Sequence, residues 1–272
     1  MFADLLAEVK NGNFETQIQD KNCLVKIGNL VEKLVKGPTL LANGDSNTKL
    51  AKNTVKTFGF SMLPFKLGLG NVCPSASSGC ASACLNETGL GAVFSSIQIS
   101  RLIRRVLWHS AREWACEQIT AKLQRASKNS DVACRLNVFS DVPWEHTGIM
   151  QACPNVHFYD YTKIKKRVFS NLPSNYWLTY SASENTTDSD VLAVCGNGGN
   201  VAMVFHNEGP FAGNRAGKQV LPQEYLGIPV IDADSTDLRY LDPRGVVVGL
   251  RLKSANNASR QAAIDAGFSR LA

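Results

Sequence analysis

Long apolar runs are missing from this chain of 272 residues. None approaches the roughly 18–20 residues of a membrane span, so no such span is expected. The opening MFADLLAEVK has acidic residues and no positive stretch ahead of an apolar one, unlike a secretory signal. No G-x-S-x-G, no Walker loop and no H-E-x-x-H occurs. The signatures of nucleophile-elbow hydrolases, phosphate-cradling loops and zinc proteases are therefore absent. Repeats and low-complexity tracts are lacking too. What remains is ordinary globular composition, 44% hydrophobic and 19% charged, in a chain expected to be intracellular.

Cysteine is the residue that stands out, with eight. In a reducing compartment a disulfide framework is not expected. Cys23, Cys116, Cys134, Cys153 and Cys195 lie singly among apolar or small residues and read as buried thiols. Cys73, Cys80 and Cys84 instead fall within twelve residues, in NVCPSASSGCASACL. Their spacing, Cys-x6-Cys-x3-Cys, lacks the close pairs of structural zinc sites. Histidine is scarce, and the segment has none, so zinc would need a distant ligand such as Cys195 or His206. An iron–sulfur cluster of the [4Fe–4S] kind fits better, because several thiolates from one loop commonly hold a cubane. Three local ligands leave one iron open to a small-molecule ligand. Gly79, Gly89 and Gly91, with nearby Ser and Ala, let the backbone wrap closely and donate N–H groups to sulfur.

The spacing of apolar residues predicts helices over 1–36, the second ended by Gly37 and Pro38, in a helical N-terminal extension of residues 1–42. Residues 43–272 read as one α/β domain. TVKTFGFSML is an expected strand. Residues 92–127 are expected to be helical, with a break near His109. The runs ACRLNVF, VHFYDY, YWLTYS, VLAVC, VAMVF, IPVIDA and VVVGLRL are expected strands, most of them apolar enough for a parallel sheet buried on both faces. CGNGGN reads as a tight turn that makes 191–195 and 201–205 an antiparallel hairpin. The expected architecture is therefore an incomplete or modified TIM-like barrel.

Several strands run into polar residues: Asn137, Ser140 and Asp141; Asp160, Thr162 and Lys163; Ser181, Ser183 and Glu184; Asp232 and Asp234. In a parallel α/β fold such positions gather at one rim, where the cysteine segment would join them. Asp141 and Ser183 could equally be helix N-caps. Asp141 and Glu145 would share a helix face if DVPWEHTGIM is helical, and paired carboxylates can do acid–base work. Lys163 reads either as an anion binder or as the start of the charged face of KIKKR. The catalytic candidates are Asp141, Glu145, Lys163 and Glu184. The binding candidates are Asn137, Ser140, Asp160, Ser181, Ser183 and Asp232, and the metal ligands Cys73, Cys80 and Cys84. Tyr159, Tyr161, Tyr176 and Trp177 are either core or a stacking platform.

Net charge is +6, which favours polyanionic partners weakly. Arg101, Arg104, Arg105 and Arg112 fall near one helical face. That face is either solvated or, on the sharper reading, a contact of helix 93–127 with nucleic acid or a host protein.

The ordered set NTKLAK, CPSASSGCASACL, RLNVFSDVPWE, FYDYTKIKKR, NYWLTYSASE, VAMVF and IPVIDADSTDLRYLDPRGVVVGL resembles the bacteriophage gene product 88 family over roughly residues 43–253. The resemblance implies a phage protein acting in the cytoplasm of an infected bacterium. Its motif positions match Cys73, Cys80 and Cys84; Ser140, Asp141, Trp144 and Glu145; Tyr159 to Lys163; Ser181, Ser183 and Glu184; and Asp232, Asp234, Asp237 and Arg239. A three-cysteine loop after the first strand of a parallel barrel also looks like radical S-adenosylmethionine enzymes, which implies S-adenosylmethionine at the open iron. The spacing departs from their C-x3-C-x2-C, and no Gly-Gly-Glu strand is present.

Overall fold

A computed structural model describes residues 40–44, 55–64, 70–82, 84, 95–208, 219–253 and 257–272. Of the expected helical extension, only 40–42 fall among them. Leu40 and Leu41 are buried. Ala42–Asn43 (β1) pairs antiparallel with Lys56–Gly59 (β2). The described fold thus already includes residues 40–42.

The fold is mixed α/β. Its further strands are Val132–Arg135 (β3), Val156–Thr162 (β4), Tyr176–Ser181 (β5), Asn200–His206 (β6), Glu224–Tyr225 (β7), Ile228–Asp232 (β8), Val247–Arg251 (β9) and Arg270–Leu271 (β10). They form one ten-stranded sheet in the order β1-β2-β3-β4-β5-β6-β9-β8-β7, with β10 also on β6. Pairing is parallel everywhere except β1–β2 and β7–β8. Among the described residues nothing joins β1 or β2 to β7 or β8, so the sheet is open.

Strands β2 to β6 are neighbours in chain order, so each crossover returns to the adjacent place. Between β2 and β3 lie Ser78–Ser82 (α1), Ser95–Ser110 (α2) and Arg112–Ala126 (α3). Ile149–Ala152 (α4), Lys165–Val168 (α5) and Asp188–Gly196 (α6) fill the next three crossovers. Asn257–Asp265 (α7) precedes β10. The break expected near His109 falls at Ala111, whose φ of −146° separates α2 from α3.

The expected hairpin around CGNGGN does not form. VLAVC belongs to helix α6, and β5 and β6 are parallel. Thr187 starts the helix with a capping box: its hydroxyl accepts the Asp190 N–H while the Asp190 carboxylate accepts the Thr187 N–H. An N-cap of this kind stabilises a helix by about 1 kcal/mol, and it overrides the strand-like apolar run.

Strand alternation divides the core into two faces. Val132, Cys134 and Phe158 join Leu102, Ile103, Leu107, Ile119 and Leu123 of the long helices. On the other face Ala133 and Tyr159 meet Leu238, Trp177 and Tyr240. Further along it, Ala202 and Val248 meet Tyr161, Leu250 and Ala233. His157 stacks on Tyr240 with ring centres 4.5 Å apart. The segment after β8 therefore covers this face near the starts of β4 and β5 and leaves the C-terminal strand ends open.

The basic stripe of α2 is not a solvated face. Arg101, Arg104 and Arg105 are all buried. Arg104 Nε donates to the Leu40 carbonyl at 2.6 Å, and Arg105 Nη2 to that of Gly70 at 2.5 Å. Arg101 lies over the Phe139 ring, 4.1 Å from its centre. Of the four arginines, Arg112 alone is exposed; it rests on Trp108 at 4.4 Å.

Candidate functional site

A cavity of about 310 Å³ opens at the C-terminal ends of the parallel strands. Cys73, Cys80 and Cys84 all line it, though they are up to eleven positions apart in a segment with little regular structure. Three attachments bring them there. Cys73 Sγ is 3.3 Å from the Phe139 carbonyl, and Val72 accepts the Asp141 N–H at 2.7 Å, so the segment lies on the loop after β3. Beyond β5, the Glu184 carboxylate accepts from Ser77 Oγ at 2.7 Å, Ser78 Oγ at 3.2 Å and the Gly79 N–H at 2.7 Å. Burial acts to raise the Glu184 pKa, but the bonds from Ser77 and Gly79 outweigh it and leave the carboxyl below its ordinary value.

Lys163 forms the wall beside Cys80. Its ammonium donates to the carbonyls of Ser181 and Ala182 and to Ser181 Oγ, at 3.1–3.3 Å. These acceptors are neutral. Burial therefore lowers the lysine pKa, against the nearby Cys80, Asp141 and Glu184. Burial pushes the Cys80 thiol up, and the Lys163 charge pulls it down.

Asp141 and Glu145 meet, but not on a shared helix face. Trp144–His146 is a 3₁₀ turn, and Asp141 lies in the loop before it. Arg167 bridges the two carboxylates. Its Nη1 reaches Asp141 at 2.5 Å, while Nε and Nη2 reach both oxygens of Glu145 at 2.8 and 2.7 Å. Asp141 also accepts the Lys163 N–H at 2.8 Å. Burial raises its pKa, and the Lys163 N–H and Arg167 oppose that. Asp141 lines the cavity and Glu145 does not.

Asn137 and Asp160 are buried, and their polar atoms bind other parts of the chain. Asn137 Oδ1 accepts from Ser140 Oγ, the Val142 N–H and Trp144 Nε1, which closes the loop after β3. Asp160 accepts the Asn137 N–H at 2.7 Å and the Tyr176 hydroxyl at 3.0 Å; burial pushes its pKa up to about 7. Asn137, Ser140 and Ser181 touch the cavity; Asp160, Ser183, Glu184 and Asp232 are not among its lining residues. Ser183 caps no helix; its N–H donates to Thr186 Oγ1 at 2.9 Å. Asp232 forms a two-bond pair with Arg251 at 2.8 and 2.9 Å.

A model of the family described as gene product 88 matches residues 37–268. The chain belongs to the gene product 88 family. The matched span holds the cavity and the three cysteines. No curated protein and no solved structure matches the chain. Among the described residues no helix is long and apolar enough to cross a membrane.

For this family member, sequence reasoning missed Arg135, Arg251 and Lys253, which also line the cavity. The signal for Arg135 was present: it ends a strand one rim position before Asn137. Among the described residues, no three His, Cys, Asp or Glu side chains are grouped so as to hold one metal ion. A cubane makes a different demand, because each thiolate binds a separate iron. Cys73, Cys80 and Cys84 share one cavity.

Proposed function

We propose that the chain is an iron–sulfur protein, with a [4Fe–4S] cluster on Cys73, Cys80 and Cys84. The observation that carries this reading is that all three thiols of one short segment line a single cavity at the strand ends. When bound, such a cluster supplies an iron with an open coordination position for a small molecule. The residues around it have separate tasks. Glu184 and the Asp141 N–H hold the segment in place. The Lys163 ammonium offsets thiolate charge at Cys80. Phe139, Leu252 and Phe268 add apolar surface to the same cavity and limit water there.

The singly wound order β2 to β6, continued by β9 and β8, supports reading the sheet as an incomplete TIM-like barrel. Family membership supports a phage protein working in the cytoplasm of an infected bacterium. Within this reading the chain is an enzyme acting on a small molecule at the cavity, with S-adenosylmethionine as one candidate ligand. The competing reading is a structural or redox-sensing cluster in a protein that binds nucleic acid or a host protein.

Absorption and electron paramagnetic resonance of anaerobically prepared protein test the proposal. The wild type and Cys116→Ala should show the iron–sulfur spectrum, and Cys73→Ala, Cys80→Ala and Cys84→Ala should lose it. A spectrum that survives all three single substitutions refutes the ligand assignment. A change on adding S-adenosylmethionine favours the enzyme. No change, together with salt-sensitive nucleic-acid binding, favours the binding protein.

A further inference from the structure

The cavity wall contains a cation, Arg135, whose ion pair is a long one. Arg135 ends β3 and, by strand alternation, points to the cavity face, as do Tyr161, Ser181, Val204 and Leu250. Its guanidinium lies over the Tyr161 ring, 4.6 Å from the centre. Among the described residues its ion-pair partner is Asp237, at a long 3.4 Å. Its Nε is buried and, among the described residues, has no hydrogen-bond partner. Arg251, on the same wall, is by contrast fully engaged by Asp232, Asp234 and the Gln219 carbonyl. Folded proteins rarely leave a buried charged donor so poorly satisfied, and each such case calls for an explanation. The fork geometry of arginine suits a planar or tetrahedral oxyanion. Elsewhere in the cavity Val204, Leu250, Leu252 and Phe268 supply apolar surface, beside the charged Asp141, Lys163, Arg251 and Lys253.

We propose that the cavity binds a small molecule with an apolar body and one anionic group, a carboxylate or a phosphate ester, and that Arg135 receives the anion. The proposal rests on the ligand-binding reading of the cavity given above but not on the cluster itself. Tyr161 holds the guanidinium plane, and the anion competes with Asp237 for it. Replacing a long pair by a two-bond contact supplies the affinity. The apolar surface supplies the preference for a hydrophobic body.

Isothermal titration calorimetry with 4-phenylbutyrate and phenyl phosphate tests this on the full chain, with 4-phenylbutanol as the uncharged control. Iron is measured in the same preparation, so a failure of the cluster reading is seen separately. At least one anion should bind saturably at millimolar concentration, and the alcohol at least tenfold more weakly. Arg135→Gln should weaken the anion about tenfold or more. Asp237→Asn, which leaves the packing of Arg135 intact, should tighten it several-fold. Binding of neither anion, equal binding of the alcohol, or an anion affinity unmoved by Asp237→Asn would each overturn the proposal. Comparing the two anions distinguishes carboxylate from phosphate recognition.

Discussion

The Glu184 carboxylate lies 2.7 Å from the backbone nitrogen of Gly79, and a Cβ added at residue 79 would sit 2.8 Å from Glu184 Oε2. The end of β5 therefore holds the cysteine segment, next to Cys80, through a contact that any side chain larger than hydrogen disturbs. Gly79→Ala should push the carboxylate away and break its bonds to Ser77 and Gly79. The cost to overall stability should be modest, about 1–2 kcal/mol, because the segment is partly exposed. Iron content should fall clearly. Glu184→Ala should behave alike, and Glu184→Gln, which keeps an acceptor for Gly79, should retain more iron. Iron per chain, read beside a urea melt, checks the series; equal iron in all three variants contradicts it.

Arg167 joins two carboxylates that the sequence makes candidates for acid–base work. The side chains of Arg167, Asp141 and Glu145 are each about one-tenth exposed. Removing the cation leaves two buried charges without their partner, which costs about 3–5 kcal/mol in such settings. Arg167→Ala should lower the urea unfolding free energy by that order. A loss under about 1 kcal/mol, the scale of an exposed pair, would show that the triad is not a structural element.

Asp160 carries a pH dependence with a definite sign. Burial raises its folded pKa to about 7, against roughly 3.9 when unfolded. Between those values the folded state holds a proton that the unfolded state has released. Stability from this group should therefore fall as pH rises from about 4 to about 7, with a limiting slope of roughly 1.4 kcal/mol per pH unit. Asp160→Asn keeps an acceptor for the Asn137 N–H and should flatten the slope. Urea melts across this window compare the two proteins, and identical slopes would contradict the assignment.

The parallel sheet was legible because ACRLNVF, VHFYDY, YWLTYS and VAMVF are apolar on both faces, as a sheet covered on both sides requires. VLAVC carried the same pattern and misled. A five-residue apolar run fits a buried helix as well as a strand, and the deciding signal was the polar TDSD before it, which builds the capping box at Thr187. Of the four arginines read as one face, Arg112 belongs to α3 and is exposed, while Arg101, Arg104 and Arg105 of α2 are buried. Their burial was not legible, because the carbonyls that receive Arg104 and Arg105 come from Leu40 and Gly70, far off in the chain. The rim positions were legible from strand ends, and Asn137, Ser140, Asp141, Lys163 and Ser181 line the cavity there. Which of them face the cavity depends on strand parity and on bonds such as Asp160 to Tyr176, and those become visible only with the register.

The central claim is that Cys73, Cys80 and Cys84 together hold iron. Chain purified without oxygen should contain about four iron and four acid-labile sulfide, as one cubane does, and triple substitution of these cysteines by alanine should remove both. Wild-type protein free of iron and sulfide, or carrying zinc in their place, would contradict it.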